Sequence, residues 1–273
     1  MRILHLPANV ANVAYRLATA QRALGHEAVV LSRPMSPYGF PSDVPLPPWT
    51  DPVRFNLLLA SKWRFLRLFD VLHVHGGIWR TNVIYSLLHR AGSRIAVHHH
   101  GTETRTGKGT HWRGVADVRF HTPPDLQQQL PGSIWVPQPV EVPDYVSPPK
   151  ERPAMREEEV VRFVHFVTSY TNKGTDRVIQ AMEDTFGRGH GLPVYAFEKN
   201  RSYEFWDYRV ILDIYHQVPY RRVRSIMENA DVVFDQITPF GIYGAISAEA
   251  MALGRPAVAS FDPALYPDDC PVI

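Results

Sequence analysis

An α/β fold made of two doubly wound parallel sheets is what three features of the chain predict together. Residues 231–260 (DVVFDQITPFGIYGAISAEAMALGRPAVAS) read as a short apolar strand, a turn flanked by Gly241 and Gly244, and a small-residue helix over 245–253. Gly254 stops that helix and Pro256 keeps it from resuming. Residues 2–32 read as strand, loop, helix and strand, and their strands are apolar throughout instead of alternating, as in a sheet covered on both faces. The length, 273 residues, is enough for two domains with a core each.

Composition narrows the function classes. Lys and Arg total 29 against 27 Asp and Glu, so there is no overall basic excess of the kind that binds nucleic acid. The single cysteine, Cys270, leaves no intramolecular disulfide and no cysteine-based zinc site, as expected in a reducing cytoplasm. The opening MRILHLPANV is a strand cut short by Pro7, too brief for a signal peptide, and no apolar run approaches the roughly 18 residues of a membrane span.

Taken in order, residues 2–6 form a strand, 7–12 a loop and 13–24 a helix stopped by Gly25, followed by a strand at 26–32. The proline-rich stretch 34–52 is a surface loop. Residues 55–68 read as one amphipathic helix with Lys62, Arg64 and Arg67 on its polar side, a docked helix with a solvated basic edge, with weak peripheral contact to an anionic membrane as the alternative. Strands at 71–75 and 94–100 end in histidines, and further strands fall at 116–121 and 134–136, with a short helix at 123–130 between them. The proline-rich, charged stretch 143–159 separates a domain at 1–142 from one at 160–273. In the second domain, strands at 160–168, 192–197, 210–215, 232–234 and 258–260 alternate with helices from Thr175 and over 219–229.

Two clusters carry chemistry. The helix after the glycine turn offers unpaired N–H groups and a partial positive charge at its start, which suits a phosphate. Glu249, one turn further on, suits sugar hydroxyls. In open parallel sheets ligands gather at the carboxyl ends of strands, so His73, His75, His98, His99 and His100 crowd one crevice. No metal is expected there: alternation within a strand sends His99 away from His98 and His100, and no ordered carboxylate–histidine set appears.

The run GIYGAISAEAMALGRPAVAS resembles the donor-binding segment of the retaining GT-B "glycosyl transferases group 1" family, with a pattern near E-G-F-G-x-x-x-x-E-A-M-A-x-G-x-P-V. It is most similar to a subgroup carrying D-Q, then G-x-Y-G, then E-A-M-A. The resemblance implies two Rossmann-like domains facing a cleft, and a transfer of sugar from a nucleotide diphosphate donor to a hydroxyl acceptor on a glycan, lipid or small molecule. Retention at the anomeric carbon and no metal or other cofactor are implied with it. Glu249 matches the ribose-binding Glu, the backbone from Gly241 through Ile242, Tyr243 and Gly244 to Ala245 matches the diphosphate loop, and Gly241 stands where the family's first Glu approaches the sugar. Asp235, in the D-Q pair, is the carboxylate available to replace it.

Two more stretches extend the resemblance. Lys173-Gly174 matches the family's K-G, whose Lys neutralises the diphosphate, with Thr168 where an Arg usually stands and His165 on the subgroup's His. H-H-H-G-T-E-T-R matches a segment over the donor sugar at His100, Glu103 and Arg105. The family continues past Ser260 with further helices, so the second domain is expected to be short. The missing first Glu, the missing Arg and the short tail leave a second reading open, a nucleotide-sugar-binding protein impaired in catalysis. A third is a nucleotide-sugar epimerase.

Overall fold

In the computed structural model the chain divides into two compact units, Met1–Pro139 and Val140–Ile273. The residues described are 1–34, 37–47, 52–76, 83–105, 114–142, 160–187, 190–193, 201–205, 209–238 and 240–266, with the side chains at 52, 102–103, 190–193 and 201–202 left aside. The linker expected at 143–159 lies outside them, as does the side chain of Glu103.

The N-terminal unit contains β1 (Arg2–Leu6), α1 (Val13–Ala23), β2 (Glu27–Ser32), β3 (Val44–Pro45), α2 (Pro52–Ser61), α3 (Trp63–Leu66), β4 (Val71–His75), α4 (Val83–Arg90), β5 (Arg94–His99), α5 (Thr102–Arg105), β6 (Val118–His121) and β7 (Ile134–Trp135). Its seven strands pair in the order β3-β2-β1-β4-β5-β6-β7, every pair parallel. Alternation along each strand sorts the two faces. Leu4, Leu6, Leu72, Val74, Ile95 and Val97 bury one face beneath Phe55, Leu59, Leu66 and Leu88 of α2, α3 and α4, while Ile3, Ala28 and Val30 bury the other beneath Ala14 and Ala18 of α1. The expected single helix over 55–68 is two: the Ser61 hydroxyl bonds the Leu58 carbonyl at 2.7 Å, and the Lys62 N–H is shared between the Leu58 and Leu59 carbonyls at 3.1 Å. A side-chain hydroxyl competing for a helix carbonyl bends the ladder, and the chain restarts at Trp63. Helix α4 and strand β3 have no counterpart in the sequence reading.

The C-terminal unit contains β8 (Val161–Val167), α6 (Tyr170–Lys173), α7 (Thr175–Phe186), β9 (His190–Pro193), β10 (Arg201–Phe205), β11 (Val210–His216), α8 (Tyr220–Glu228), β12 (Val232–Phe234), α9 (Ala245–Ala252) and β13 (Ala257–Val258). The order is β13-β12-β8-β11-β10-β9. Strands β13, β12, β8 and β11 are parallel, but β10 runs antiparallel to both β11 and β9, so this sheet is mixed at one edge. Strand β10 was not anticipated, because R-S-Y-E-F gives only a short alternating run; of the strand expected at 192–197, residues 194–197 lie outside the described ones. Val164, Phe166 and Val233 pack with Val223 and Met227 of α8 and Ala250 of α9 on one face, and Leu212, Ile214 and Phe234 pack with Val178 and Met182 of α7 on the other. Among the described residues no helix is long and apolar enough to cross a membrane.

Candidate functional site

In the C-terminal unit a lysine, a carboxylate and the start of a helix meet. Strand β8 ends at Val167 and the chain makes the short helix α6, whose last residue is Lys173. Gly174 then takes φ 66°, and a Cβ there would collide with the Ile237 carbonyl, so only glycine lets the two loops lie this close. The Ile237 N–H donates to the Lys173 carbonyl at 3.1 Å, which fixes the lysine beside the end of β12. From there Lys173 Nζ donates to Asp235 Oδ1 at 2.5 Å, with the lysine side chain 12% exposed and the carboxylate fully buried.

The other carboxylate oxygen serves α9. Asp235 Oδ2 accepts the Gly244 N–H at 2.6 Å, the Ser247 N–H at 3.2 Å and the Ser247 hydroxyl at 2.9 Å. Two of the helix's orphan donors are thereby met by a residue outside the helix. Burial alone would raise the Asp235 carboxyl, but the Lys173 charge and the hydrogen bonds from Lys173, Ser247 and Gly244 outweigh it and hold the group below the usual carboxylate range. The N–H groups of Ala245 and Ile246, the next two of that first turn, have no acceptor among the described residues. Behind the cage, His165 on β8 donates from Nδ1 to the Phe234 carbonyl at 3.1 Å, which leaves Nε2 to accept the Thr175 hydroxyl at 3.1 Å. Burial lowers this imidazole to about 4, so it stays neutral and ties β8, β12 and α7 together.

The glycine loop is shaped by the chain that follows it. Gly241 has φ 64°, and a Cβ there would lie 2.5 Å from the Asp262 Cβ. The position where the resembled family carries its first Glu is therefore one where a side chain is both strained and blocked. A Cβ on Gly244 would lie 2.7 Å from Asp235 Oδ2, so that glycine is what lets the carboxylate reach the helix. Ile242 is buried and its carbonyl accepts the Gln236 amide at 2.7 Å. The Tyr243 N–H donates to the Tyr266 hydroxyl at 3.1 Å, the two rings stack with centroids 5.1 Å apart, and Phe261 stacks on Tyr266 at 4.7 Å. Glu249 is half-buried one turn along α9, and Thr168 is exposed just past β8. Asp235 faces its own helix and lysine, so in this geometry it presents no open carboxylate to a sugar.

The N-terminal unit places its candidates differently. Parallel register sets His5 beside His73 and His75 beside His98, so the α1 face carries His5, His73, His75, His98 and His100 in one plate. Ring centroids run from 4.4 Å for His73–His75 to 5.5 Å for His73–His98. All but half-buried His100 are buried, and His99 faces the opposite side, against Thr104. Burial, helped by the Arg22 charge, lowers His5 to about 4; burial with neighbouring imidazoles adding to it lowers His100 to about 3 and takes His73, His75 and His98 well below their ordinary value. The plate is therefore neutral at physiological pH. Arg105 makes a two-pronged bond to Asp125 at 2.8 Å for each oxygen and lies over Gly101, a commitment that joins α5 to the turn before β7.

Sequence reasoning missed several of these partners. Ser247 had a weak local signal, since it is the third residue of the helix after Gly244, the position whose side chain in a capping box reaches back toward the helix start. Gln21, His5, Asp125, Thr175 and Tyr266 had none, because each meets its partner across the fold.

Comparison with known proteins bears on the fold. Residues 10–123 match the family model described as "Glycosyl transferase 4-like domain". None of the curated protein sequences matches the chain. Among solved structures, an alpha-glucosyltransferase in complex with UDP-glucose and DNA containing an abasic site superposes with a TM-score of 0.59 at 13% identity, over 95% of this chain and 79% of that one. The UDP-GlcNAc 2-epimerase from Methanocaldococcus jannaschii gives a TM-score of 0.52 at 10% identity, over 95% of this chain and 83% of that one. The fold is thus the α/β, Rossmann-like fold shared by GT-B glycosyltransferases and epimerases.

Proposed function

We propose that the protein is a glycosyltransferase that moves a sugar from a nucleotide diphosphate-sugar to a hydroxyl acceptor, with retention of configuration and without a metal at the leaving group. The observation that carries the reading is the convergence of Lys173 Nζ and the first turn of α9 on one anionic group, Asp235, at 2.5 and 2.6 Å. A site already arranged to hold one anion needs little reorganisation to stabilise another. The N–H groups of Ala245 and Ile246 and the outer side of Lys173 would take the diphosphate, and Glu249, one turn on, would take the ribose. As the sugar–oxygen bond breaks, its electron pair passes to the diphosphate, whose growing charge Lys173 and the helix dipole stabilise, while the acceptor oxygen bonds the anomeric carbon and its proton passes to the departing diphosphate oxygen. A glycan, lipid-linked or small-molecule acceptor and a cytoplasmic setting belong to the same reading; the near balance of charge supports an acceptor other than nucleic acid.

Calorimetric titration with nucleotide diphosphates and the matching nucleosides tests the binding site. Lys173→Ala should weaken the diphosphate far more than the nucleoside, whereas Glu249→Ala should weaken both. Equal losses for the two ligands on removing Lys173 would refute its phosphate role. A second reading has an observation of its own: Gly241 stands where the resembled family carries its first Glu, and a side chain there would meet Asp262, which favours a protein that binds nucleotide sugars without turnover. Donor turnover against a panel of acceptors separates the two, and isomerised donor without acceptor would indicate epimerase chemistry.

A further inference from the structure

The five imidazoles on the α1 face of the N-terminal sheet are joined by hydrogen bonds that have a direction. Gln21 presents Oε1 to His5 Nε2 at 2.8 Å, and an amide oxygen only accepts, so the proton sits on that nitrogen. His5 Nδ1 is then an acceptor, and its 2.9 Å partner, His75 Nε2, must carry a proton. His75 Nδ1 is in consequence a bare lone pair, 3.1 Å from His100 Nε2. Beside them His98 Nε2 lies 2.7 Å from the Thr122 hydroxyl, while His98 Nδ1 is buried with no hydrogen-bond partner among the described residues.

We propose that His75, His98 and His100 form a binding site for a late first-row divalent cation such as Zn²⁺, with His5–Gln21 and Thr122 as the groups that orient two of the ligands. One nitrogen from each of the three lies within 4.8 Å of the others. A tetrahedral Zn²⁺ with bonds of about 2.0–2.1 Å places its nitrogens about 3.3 Å apart. The His75–His100 edge is already within a few tenths of an ångström of that, and the other edges, at most 4.8 Å, close by a shift of up to about 1.5 Å. Ligating histidines typically donate their other ring N–H to a fixed acceptor, the arrangement His75 has with His5; His98 has it when its Nε2–H donates to Thr122. The half-buried His100 lies at the edge of the plate, and with its proton on Nδ1 its Nε2 is a ligand atom. Three neutral imidazoles with a fourth position open are the ligand set of borderline cations, not of Mg²⁺ or Ca²⁺. The neighbouring trio His5, His73 and His75 also has nitrogens within 4.8 Å, but all three are buried. Leaving-group stabilisation is assigned to Lys173 and α9, so the ion stands apart from that step.

The test is titration of the chelator-stripped full chain with Zn²⁺ by calorimetry, and with Co²⁺ by visible absorption. One equivalent of each should bind, with the intense visible bands of tetrahedral Co²⁺ bleached by added Zn²⁺. His100→Gln, at the most exposed of the three positions, should weaken Zn²⁺ at least tenfold, and His99→Gln, on the opposite face, should leave it unchanged. Absence of a tetrahedral Co²⁺ spectrum from the unsubstituted protein would overturn the proposal whether or not the variants fold. Equal affinity of the unsubstituted protein and His100→Gln would overturn it too.

Discussion

The two units solve the same problem with opposite electrostatics. Each brings polar groups to the carboxyl ends of parallel strands, where a ligand site belongs. The N-terminal unit fills that end with neutral imidazoles, each kept uncharged by burial and by its neighbours. The C-terminal unit fills it with a full positive charge, a full negative charge and a helix dipole, each compensating another. A neutral cluster is tolerated because it holds no charge away from water; a charged one is tolerated because Asp235 receives one hydrogen bond from Lys173, two from backbone N–H groups and one from a hydroxyl. The consequence is a different sensitivity to protons, and pH is the broadest way to break the comparison.

The largest effect is expected in acid. A histidine whose folded pKa lies below its unfolded value contributes stability that is complete above about 6.5 and is lost as pH falls toward the folded pKa, because only the unfolded chain takes up the proton. His5 and His99, each lowered to about 4, are worth roughly 3 kcal/mol apiece over that window. His73, His75, His98, His100 and His121 shift the same way, whereas in the C-terminal unit it is His165 that is lowered. The Asp235 carboxyl, also depressed, gives up its contribution only as pH falls below the ordinary carboxylate value of 3.8. Pulse proteolysis with fragments identified by mass spectrometry should show residues 1–139 becoming susceptible between pH 6.5 and 4 while 160–266 stay protected. Simultaneous loss of both would sink the comparison.

Next in size is the cage itself. Lys173→Ala leaves the Asp235 carboxylate buried without its cation, and breaking such a pair costs about 3–5 kcal/mol. The double variant Lys173→Met with Asp235→Asn should lose distinctly less than the two single losses summed, since neither charge is then stranded. Additive losses in chemical denaturation would mean that the two side chains do not act as a unit.

The glycine loop gives a smaller effect and a sharper one. Gly241→Ala places a Cβ at φ 64° and against Asp262, a cost of about 1–2 kcal/mol for the backbone with the contact added. Removing the Asp262 Cβ by Asp262→Gly should recover the contact part in the double variant and leave the backbone part. Gly241→Glu, which writes the resembled family's first carboxylate into this chain, should destabilise the unit by at least as much as the alanine. A neutral Gly241→Glu would show that the loop opens easily and that the missing carboxylate is a matter of chemistry, not of space.

What the sequence made legible follows the range of the interactions. Strand β1, helix α1, strand β4 and the run from β12 to α9 could be read to within a residue or two because apolar patterning, Gly25 and Gly254 are local signals. Lys173 could be singled out only through the resemblance that Lys173-Gly174 carries, and its partner could not be read: Asp235 is 62 residues away and meets it through the pairing of β8 with β12. The histidines were visible strand by strand, where alternation separates neighbours. Only the register between strands shows His5, His73, His75, His98 and His100 as one plate. Helix α4 was missed because V-I-Y-S-L-L-H-R starts on β-branched residues, and its helical form is fixed by Tyr85 and Leu88 packing into the core.

The smallest effect concerns the tail of the C-terminal unit, where D-P-A-L-Y gives no motif yet Tyr266 closes the glycine loop. Tyr266→Phe removes the acceptor of the Tyr243 N–H and keeps the stacked ring, so about 1 kcal/mol should be lost. For a unit of this size that is a fall of roughly 4 °C in Tm. Tyr266→Ala removes the ring as well, together with its contacts to Tyr243 and Phe261, and should cost two to three times as much. If nucleotide diphosphate affinity falls in step with these losses while the nucleoside is unaffected, the aromatic stack is what holds the backbone of Tyr243 and Gly244 in place for the phosphate. If stability falls and affinity does not, the loop is set from the other side, by Asp235 and Gly244 alone.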